Sequence, residues 1–262
     1  MPARDEYAPG TPSWVDLQSP DVAASVAFYG ALFGWTADVS TDPAAGGYAT
    51  FLLGGAPVAG VGPQMNLRAP PAWSTYVSVA DADATIALAE ASGATTLLAP
   101  MDVLEEGRMA VFADPLGAVI AVWQPKAHRG AAVVNEPGSF GWNELATSDI
   151  EAAKAFYGRV FGWEGATQES GPMIYTEWKL DGASVGGMIE IGPQFPPGMP
   201  PCWMVYFMVD DCDAAAATVT DLGGKVMVPP MDIPPGRFSL VADPHGAAFY
   251  VMKAAAAAAA GA

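Results

Sequence analysis

The chain has 262 residues, of which 52% are hydrophobic and 15% charged, a composition typical of a globular protein with a substantial buried core. Its 28 acidic residues against 11 basic ones give a net charge of −17, which disfavours nucleic acid and anionic lipid as partners. Because the sequence lacks an apolar run of about 18 residues and a signal-peptide layout, we expect a cytoplasmic protein without a membrane segment. Cys202 and Cys212 have no metal-binding or redox spacing, so we expect free thiols.

Taken in chain order, strand and helix signals alternate through the first half. The first module consists of a strand, a helix and two short strands, at residues 14–18, 21–34, 48–53 and 56–60. The second module consists of a strand, a helix and three strands, at residues 73–79, 81–93, 94–98, 109–113 and 119–123. Asp21 and either Asp81 or Asp83 are placed to cap the helices, and Gly93 is placed to end the second one. The order of elements indicates two βαβββ modules.

The second half of the chain repeats the first. The strand that begins at Trp14 recurs at Trp142, an offset of 142 − 14 = 128 residues. Ala-Phe-Tyr, Phe-Gly-Trp and Asp-Pro-x-Gly follow in both halves, ending at Tyr29, Trp35 and Gly117 and again at Tyr157, Trp163 and Gly246. We therefore predict two domains at residues 1–126 and 138–253, a linker at 127–137 and a low-complexity tail at 254–262, with residues 4–12 as a loose arm.

These repeated motifs resemble those of the vicinal oxygen chelate superfamily, which includes glyoxalase I, the bleomycin- and fosfomycin-resistance proteins and extradiol dioxygenases. The tandem form with Trp-Asn-Glu-Leu in its second half is similar to two-domain glyoxalase-like proteins of actinomycetes, some of which accompany antibiotic-biosynthesis clusters, including those for anthracyclines. The resemblance implies an α+β fold of two tandem domains. In each domain, two βαβββ modules would form a curled sheet with helices on one face and a cleft on the other.

Enzymes of this superfamily bind a divalent metal in that cleft, and the resemblance identifies the corresponding positions here. They are Trp14, Ser74 and Ala121 in the first half and Trp142, Met204 and Tyr250 in the second. None is a usual metal ligand, and His128 and His245 are the only histidines in the chain, so a multi-histidine site is excluded. We expect no metal and no other cofactor. An all-carboxylate magnesium site is the remaining alternative, but the two inward carboxylates fall in different domains.

Strand alternation predicts which side chains line the clefts. The predicted ligand-binding residues are Trp14, Asp16, Ser74, Tyr76, Ala121 and Trp123 in the first domain and Trp142, Glu144, Met204, Tyr206 and Tyr250 in the second. Aromatic rings and methionines suit a flat, apolar ligand, although they could equally fill the cavity as core. The smaller Ser74 and Ala121 predict more room in the first cleft, between Trp14 and Trp123. Trp35 and Trp163 are expected to pack as core.

Two functions from different classes follow from these residues. The first is a metal-free binding protein for a planar aromatic metabolite, such as a polyketide or anthracycline-type antibiotic, that sequesters a drug or assists biosynthesis. The second is a metal-independent isomerase, lyase or hydroxylation-linked enzyme in which Asp16 or Glu144 acts as acid or base, unless both are merely solvated at the cleft mouth. A metal-dependent glyoxalase is disfavoured. The partner is then a small aromatic metabolite, and the chain is either a monomer with intramolecular domain pairing or a homodimer.

Overall fold

A computed structural model describes residues 4–170 and 173–255. The first domain contains β1 (Pro12–Ser19), α1 (Val22–Phe33), β2 (Thr36–Val39), β3 (Ala49–Leu53), β4 (Ala56–Pro63), β5 (Ala72–Ser78), α2 (Ala82–Ala91), β6 (Thr95–Val103), β7 (Gly107–Ala113) and β8 (Val119–Pro125). The second contains β9 (Phe140–Thr147), α3 (Ile150–Phe161), β10 (Glu164–Ser170), β11 (Met173–Leu180), β12 (Ala183–Glu190), β13 (Cys202–Met208), α4 (Cys212–Asp221), β14 (Lys225–Ile233), β15 (Gly236–Ala242) and β16 (Ala248–Ala254). The predicted tail lies outside the described residues from position 256 onward.

Each domain is one eight-stranded sheet, and the two sheets have the same strand order. The orders are β2-β3-β4-β1-β5-β8-β7-β6 and β10-β11-β12-β9-β13-β16-β15-β14. The two modules of a domain join where β1 pairs antiparallel with β5, and β9 with β13. This confirms the predicted α+β fold of two tandem domains, each with one curled sheet.

The helices begin and end where local chemistry requires. Asp21, Asp81, Asp149 and Asp211 cap the four helices, and each carboxylate accepts a hydrogen bond from the backbone N–H three residues later. Asp81, rather than Asp83, is therefore the cap of α2. Helices α1 and α3 end at Gly34 and Gly162, where φ is 73° and a side chain would be strained.

The helix-covered faces of the two sheets pack against each other through reciprocal buried hydrogen bonds. Tyr29 donates to Asp243 of the second domain over 3.1 Å, and Tyr157 donates to Asp114 of the first over 2.9 Å. Each tyrosine oxygen also accepts the indole N–H of a tryptophan in its own domain, Trp73 over 3.1 Å or Trp203 over 2.9 Å. Burial and the adjacent carboxylate raise the pKa of both tyrosines well above the usual value, so each hydroxyl remains a donor.

The tryptophans of the Phe-Gly-Trp motifs belong to the same interface. Trp35 donates its indole N–H to the carbonyl of Gly138 over 2.6 Å, and Trp163 donates to the carbonyl of Gly10 over 2.6 Å. Each of these glycines precedes the first strand of the opposite domain. Both indoles are buried, which agrees with the expectation that they pack as core.

The residues before and between the domains are packed against the first sheet. Tyr7 is buried and donates to the carbonyl of Ala131 over 2.6 Å, while the backbone N–H of Arg4 donates to Ala132 over 2.8 Å. The prediction of a loose arm is therefore wrong for residues 4–12, because backbone hydrogen bonds and one buried ring hold this segment. The linker is held in the same way, with the N–H of His128 donating to Glu106 over 3.0 Å.

Two arginines at equivalent positions of the two halves, Arg108 and Arg237, make local ion pairs. Arg108 lies 3.3 Å from Asp102, and Arg237 lies 3.1 Å from Asp232. Each arginine also makes two hydrogen bonds to an aspartate in the preceding helix, Asp83 in α2 or Asp213 in α4. Both arginines are thus structural. Among the residues with described positions, no helix has the length and apolar character needed to cross a membrane.

We expect Tyr29→Phe and Tyr157→Phe each to destabilise the protein by about 1–3 kcal/mol, because each removes a buried interdomain hydrogen bond and leaves an indole N–H without its acceptor. Urea unfolding followed by fluorescence measures the change. Tyr250→Phe is the matched control, since that hydroxyl does not take part in the interdomain contacts. Interface variants no less stable than the control would contradict this role.

Candidate functional site

Strand register brings the predicted ligand-binding residues of each domain together on the face opposite the helices. Trp14 is paired with Tyr76, Tyr76 with Ala121, Asp16 with Ser74, and Ser78 with Trp123. In the second domain Trp142 is paired with Tyr206, Tyr206 with Tyr250, and Glu144 with Met204. Val15 and Leu17, which alternate with these residues, are fully buried on the helix side. We refer to these two surfaces as the open face of the first domain and the open face of the second.

A carboxylate lies on the first open face among aromatic side chains. Tyr76 donates to Asp16 Oδ2 over 2.9 Å, and Trp14 donates its indole N–H to the hydroxyl of Tyr48 over 3.1 Å. Asp16 Oδ1 is buried and has no hydrogen-bond partner among the described residues. Burial raises the pKa of Asp16 from 3.8 to about 6, while the Tyr76 hydrogen bond acts in the opposite direction. Asp16 as a whole is half-buried, but one of its oxygens is buried and the other is bonded to Tyr76, so the alternative of a merely solvated carboxylate does not describe it.

The second open face repeats this arrangement with a longer acid. Tyr206 donates to Glu144 Oε1 over 2.9 Å, and Trp142 donates to the hydroxyl of Tyr175 over 2.9 Å. Burial raises the pKa of Glu144, and Tyr206 and Tyr175 both lower it. Glu144 is 7% exposed, so this residue is buried rather than solvated.

The linker covers part of the first open face. The imidazole of His128 makes edge contacts with Trp14 and Trp123, at ring-centroid distances of 4.3 and 5.6 Å. Trp123 also donates its indole N–H to the His128 carbonyl over 2.8 Å. Burial lowers the pKa of His128 from 6.5 to about 4, so the ring is neutral at physiological pH. The expected space between Trp14 and Trp123 is thus occupied by His128, and the prediction of more room in the first cleft is wrong.

The second open face is less covered. Tyr206 and Tyr250 stack with ring centroids 4.2 Å apart and planes 6° apart, and Phe238 lies 5.7 Å from Tyr250. Around them lies a group of half-buried apolar side chains, namely Trp142, Met204, Met208, Phe238 and Leu240. Of the two open faces, the second therefore has the more accessible apolar side chains.

Sequence reasoning missed three side chains of the site. Tyr48 reaches the first open face from the position just before β3, Tyr175 reaches the second from β11, and His128 reaches its position from the linker. The two tyrosines occupy equivalent positions, 175 − 48 = 127 residues apart, and the glycines that they cover, Gly60 and Gly187, are also 187 − 60 = 127 residues apart. This shared offset is the sequence signal from which the two tyrosines could have been identified. The position of His128 had no counterpart in the second half that could indicate it.

Sequence comparison identifies the family. Residues 11–122 and 138–251 each match the family described as Glyoxalase/Bleomycin resistance protein/Dioxygenase superfamily. The chain belongs to this superfamily. Both matched segments span the eight-stranded sheets described above, and the resemblance based on the repeated motifs is confirmed.

Named relatives of the superfamily cover nearly the whole chain. The anthracycline biosynthesis protein DauV of Streptomyces sp. (strain C5) is 44% identical over 94% of this chain and 94% of its own length. The anthracycline biosynthesis protein DnrV of Streptomyces peucetius is also 44% identical, with the same coverage. The chain is thus similar over nearly its full length to two proteins named for anthracycline biosynthesis.

Solved structures of the superfamily share the fold at low sequence identity. The Mn(II)-bound glyoxalase from Novosphingobium aromaticivorans has a TM-score of 0.65 at 18% identity, covering 94% of this chain and 82% of its own. The 2,3-dioxygenase LapB from Pseudomonas sp. KL28 has a TM-score of 0.64 at 15% identity, covering 94% of this chain and 92% of its own. At these identities, the likeness is evidence for the fold only.

The side chains on the open faces do not fit the divalent metal that the superfamily implies. The corresponding positions carry indole, hydroxyl, methyl, thioether and phenol groups, at Trp14, Trp142, Ser74, Ala121, Met204 and Tyr250. Within residues 4–170 and 173–255, no three His, Cys, Asp or Glu side chains come together in a group that could hold a metal ion. The nearby acids Asp16 and Glu144 are instead hydrogen-bonded to tyrosines.

Replacing Asp16 with Asn tests the buried charge. The folded-state pKa of about 6 exceeds the usual 3.8, so the folded protein binds more protons than the unfolded chain between these values and loses stability as the pH rises. Asn removes the charge and keeps an acceptor for Tyr76. We expect Asp16→Asn to be more stable than the wild type by about 1–3 kcal/mol at pH 7.5, with the difference vanishing towards pH 4.

Urea unfolding at a series of pH values measures this difference. Asp38→Asn, on the exposed edge strand β2, is the matched control and should show no such gain. A pH-independent difference between Asp16→Asn and the wild type would contradict a raised pKa at Asp16.

Proposed function

We propose that the protein is a small-molecule binding protein that takes a planar aromatic metabolite on the open face of the second domain. The observation that carries this proposal is the half-buried group of Trp142, Met204, Met208, Phe238 and Leu240 around the stacked Tyr206 and Tyr250. Large apolar side chains that remain partly exposed are typical of ligand-binding surfaces. Methionine adapts to irregular ligand shapes, and aromatic rings provide flat contact area.

The names of the relatives suggest the ligand class. DauV and DnrV are named anthracycline biosynthesis proteins, and an anthracycline contains a planar, fused aromatic ring system. We infer that this chain binds a polyketide-type metabolite of that kind and acts in the cytoplasm as an accessory to its biosynthesis or as a protein that sequesters it. In this function the aromatic surface binds the ring system, and no metal takes part.

Anthraquinone serves as the test ligand because it has a flat fused-ring core. We expect saturable binding by isothermal titration calorimetry, and Trp142→Ala to weaken it at least about tenfold through loss of aromatic contact area. Met65→Ala, on a loop where Met65 is 80% exposed, is the control and should leave the affinity unchanged. Absence of saturable heat, or equal affinities for wild type and Trp142→Ala, would refute the proposal.

A second candidate function is metal-independent proton transfer by Asp16. It is favoured by one observation, a carboxyl with a pKa of about 6 and a buried oxygen free of protein hydrogen bonds. Such a group is ionised at neutral pH yet basic enough to remove a proton next to a ketone. Deuterium exchange at C1 of 2-tetralone, followed by NMR in D₂O, measures this step.

We expect the exchange to survive EDTA, to rise with pH through about 6 as Asp16 ionises, and to fall at least about tenfold in Asp16→Asn. Asp38→Asn is again the control. Exchange no faster than in buffer, or equal in the two variants, would eliminate this candidate.

A further inference from the structure

The two domains contain an equivalent series of side chains around one acid, and the series differs where the acid faces its second tyrosine. In the second domain, Trp142 donates to Tyr175 over 2.9 Å and Tyr206 donates to Glu144 over 2.9 Å. Tyr175 also acts on Glu144, since it lowers the pKa of this acid together with Tyr206.

In the first domain the same series is interrupted between Tyr48 and Asp16. Trp14 donates to Tyr48 over 3.1 Å and Tyr76 donates to Asp16 Oδ2 over 2.9 Å, as in the second domain. Within the described part of the chain, however, Tyr48 makes no hydrogen bond with Asp16, and Asp16 Oδ1 is buried without a partner. Asp is one methylene shorter than Glu, which is about 1.5 Å of reach.

The interruption does not come from a displaced tyrosine. Gly60 is the strand neighbour of Asp16, and a Cβ atom placed on it would lie 1.8 Å from the Tyr48 hydroxyl oxygen and 3.3 Å from Asp16 Cβ. Gly187 is the strand neighbour of Glu144, and a Cβ atom there would lie 1.9 Å from the Tyr175 hydroxyl oxygen. Both tyrosines therefore lie over equivalent glycines, and the difference between the domains is the length of the acid.

The unmet hydrogen bonds specify the chemistry of a bridging group. It must accept a hydrogen bond from the Tyr48 hydroxyl and donate a hydrogen bond to Asp16 Oδ1, which a hydroxyl does and an ether, a carbonyl or an ammonium does not. Asp16, Tyr48 and Ser74 are half-buried, so this side of the open face can be reached from solvent. We propose that Asp16 and Tyr48 form a hydroxyl-binding subsite of the first domain, which takes the phenolic hydroxyl of an aromatic ligand.

This subsite is separate from the proposed anthraquinone surface, since it lies in the other domain and depends on different side chains. A ligand hydroxyl there would form a charge-assisted hydrogen bond with a carboxylate, which is stronger than a bond between neutral groups. A ligand without the hydroxyl would leave Asp16 Oδ1 buried and unpaired.

A matched pair of probes tests the subsite. The affinities of 2-naphthol and 2-methoxynaphthalene are measured by isothermal titration calorimetry in the Trp142→Ala variant. This substitution weakens ligand binding at the second open face. We expect 2-naphthol to bind at least about tenfold more tightly, because a site built around a hydroxyl discriminates against analogues that lack it.

Two substitutions of Asp16 should each reduce this preference to within about twofold. Asp16→Glu gives the acid the length to reach Tyr48, as Glu144 reaches Tyr175. Asp16→Asn, the variant expected to be the more stable, places an amide N–H₂ where the ligand hydroxyl needs an acceptor. Asp38→Asn serves as the control and should leave the preference intact.

Equal affinities for the two probes would overturn the inference, and this is the result that a water molecule between Tyr48 and Asp16 would produce. Absence of binding by either probe, or a preference that persists in both Asp16 variants, would overturn it as well. Failure of the proposed function is recognised separately, because that function predicts anthraquinone binding that depends on Trp142 and not on Asp16.

Discussion

The rest of the structure depends on two buried tyrosine–aspartate hydrogen bonds that cross between the domains. In both Asp114 and Asp243, Oδ1 accepts hydrogen bonds over 2.9 Å from backbone N–H groups at the residue's own Asp-Pro-x-Gly turn. Oδ2 accepts a hydrogen bond from the tyrosine hydroxyl of the other domain. A buried carboxylate is costly unless its oxygens are satisfied, and here both oxygens are. The turn and the domain interface therefore depend on the same aspartate side chain.

The hydrogen bonds between the domains explain which sequence motifs occur in both halves. The tyrosine of Ala-Phe-Tyr, the tryptophan of Phe-Gly-Trp and the aspartate of Asp-Pro-x-Gly all make interdomain hydrogen bonds. The side chains of the open faces do not take part in this interface. Equivalent positions there differ between the halves, as Ser74 and Ala121 differ from Met204 and Tyr250. The interface therefore requires the same motif residues in both halves, whereas the residues on the two open faces can differ.

Much of the fold could be predicted from the sequence because its signals are local or periodic. Aspartate caps, glycine helix ends and strand alternation placed the helices, the central strands and the side chains of the open faces. The edge strand β2 was missed because its four residues, Thr36–Val39, carry little hydrophobic pattern. The path of the linker was missed because it depends on backbone hydrogen bonds to Glu105 and Glu106, which no sequence pattern encodes. The roles of Tyr48 and Tyr175 required knowledge of the strands beside β1 and β9, which topology alone supplies.

The connection between the domains is in fact two segments placed end to end. The backbone N–H of Gly138 donates to Met208 over 2.8 Å, just as that of Gly10 donates to Ser78 over 2.7 Å. The last residues of the linker are thus the second copy of the arm that precedes β1, while the residues around His128 extend β8 and cover the first domain. Because the interdomain bonds are also reciprocal, two copies of a single-domain chain could have made the same interface about a two-fold axis. A fusion of two such copies would keep this interface and would allow the two open faces to differ from each other.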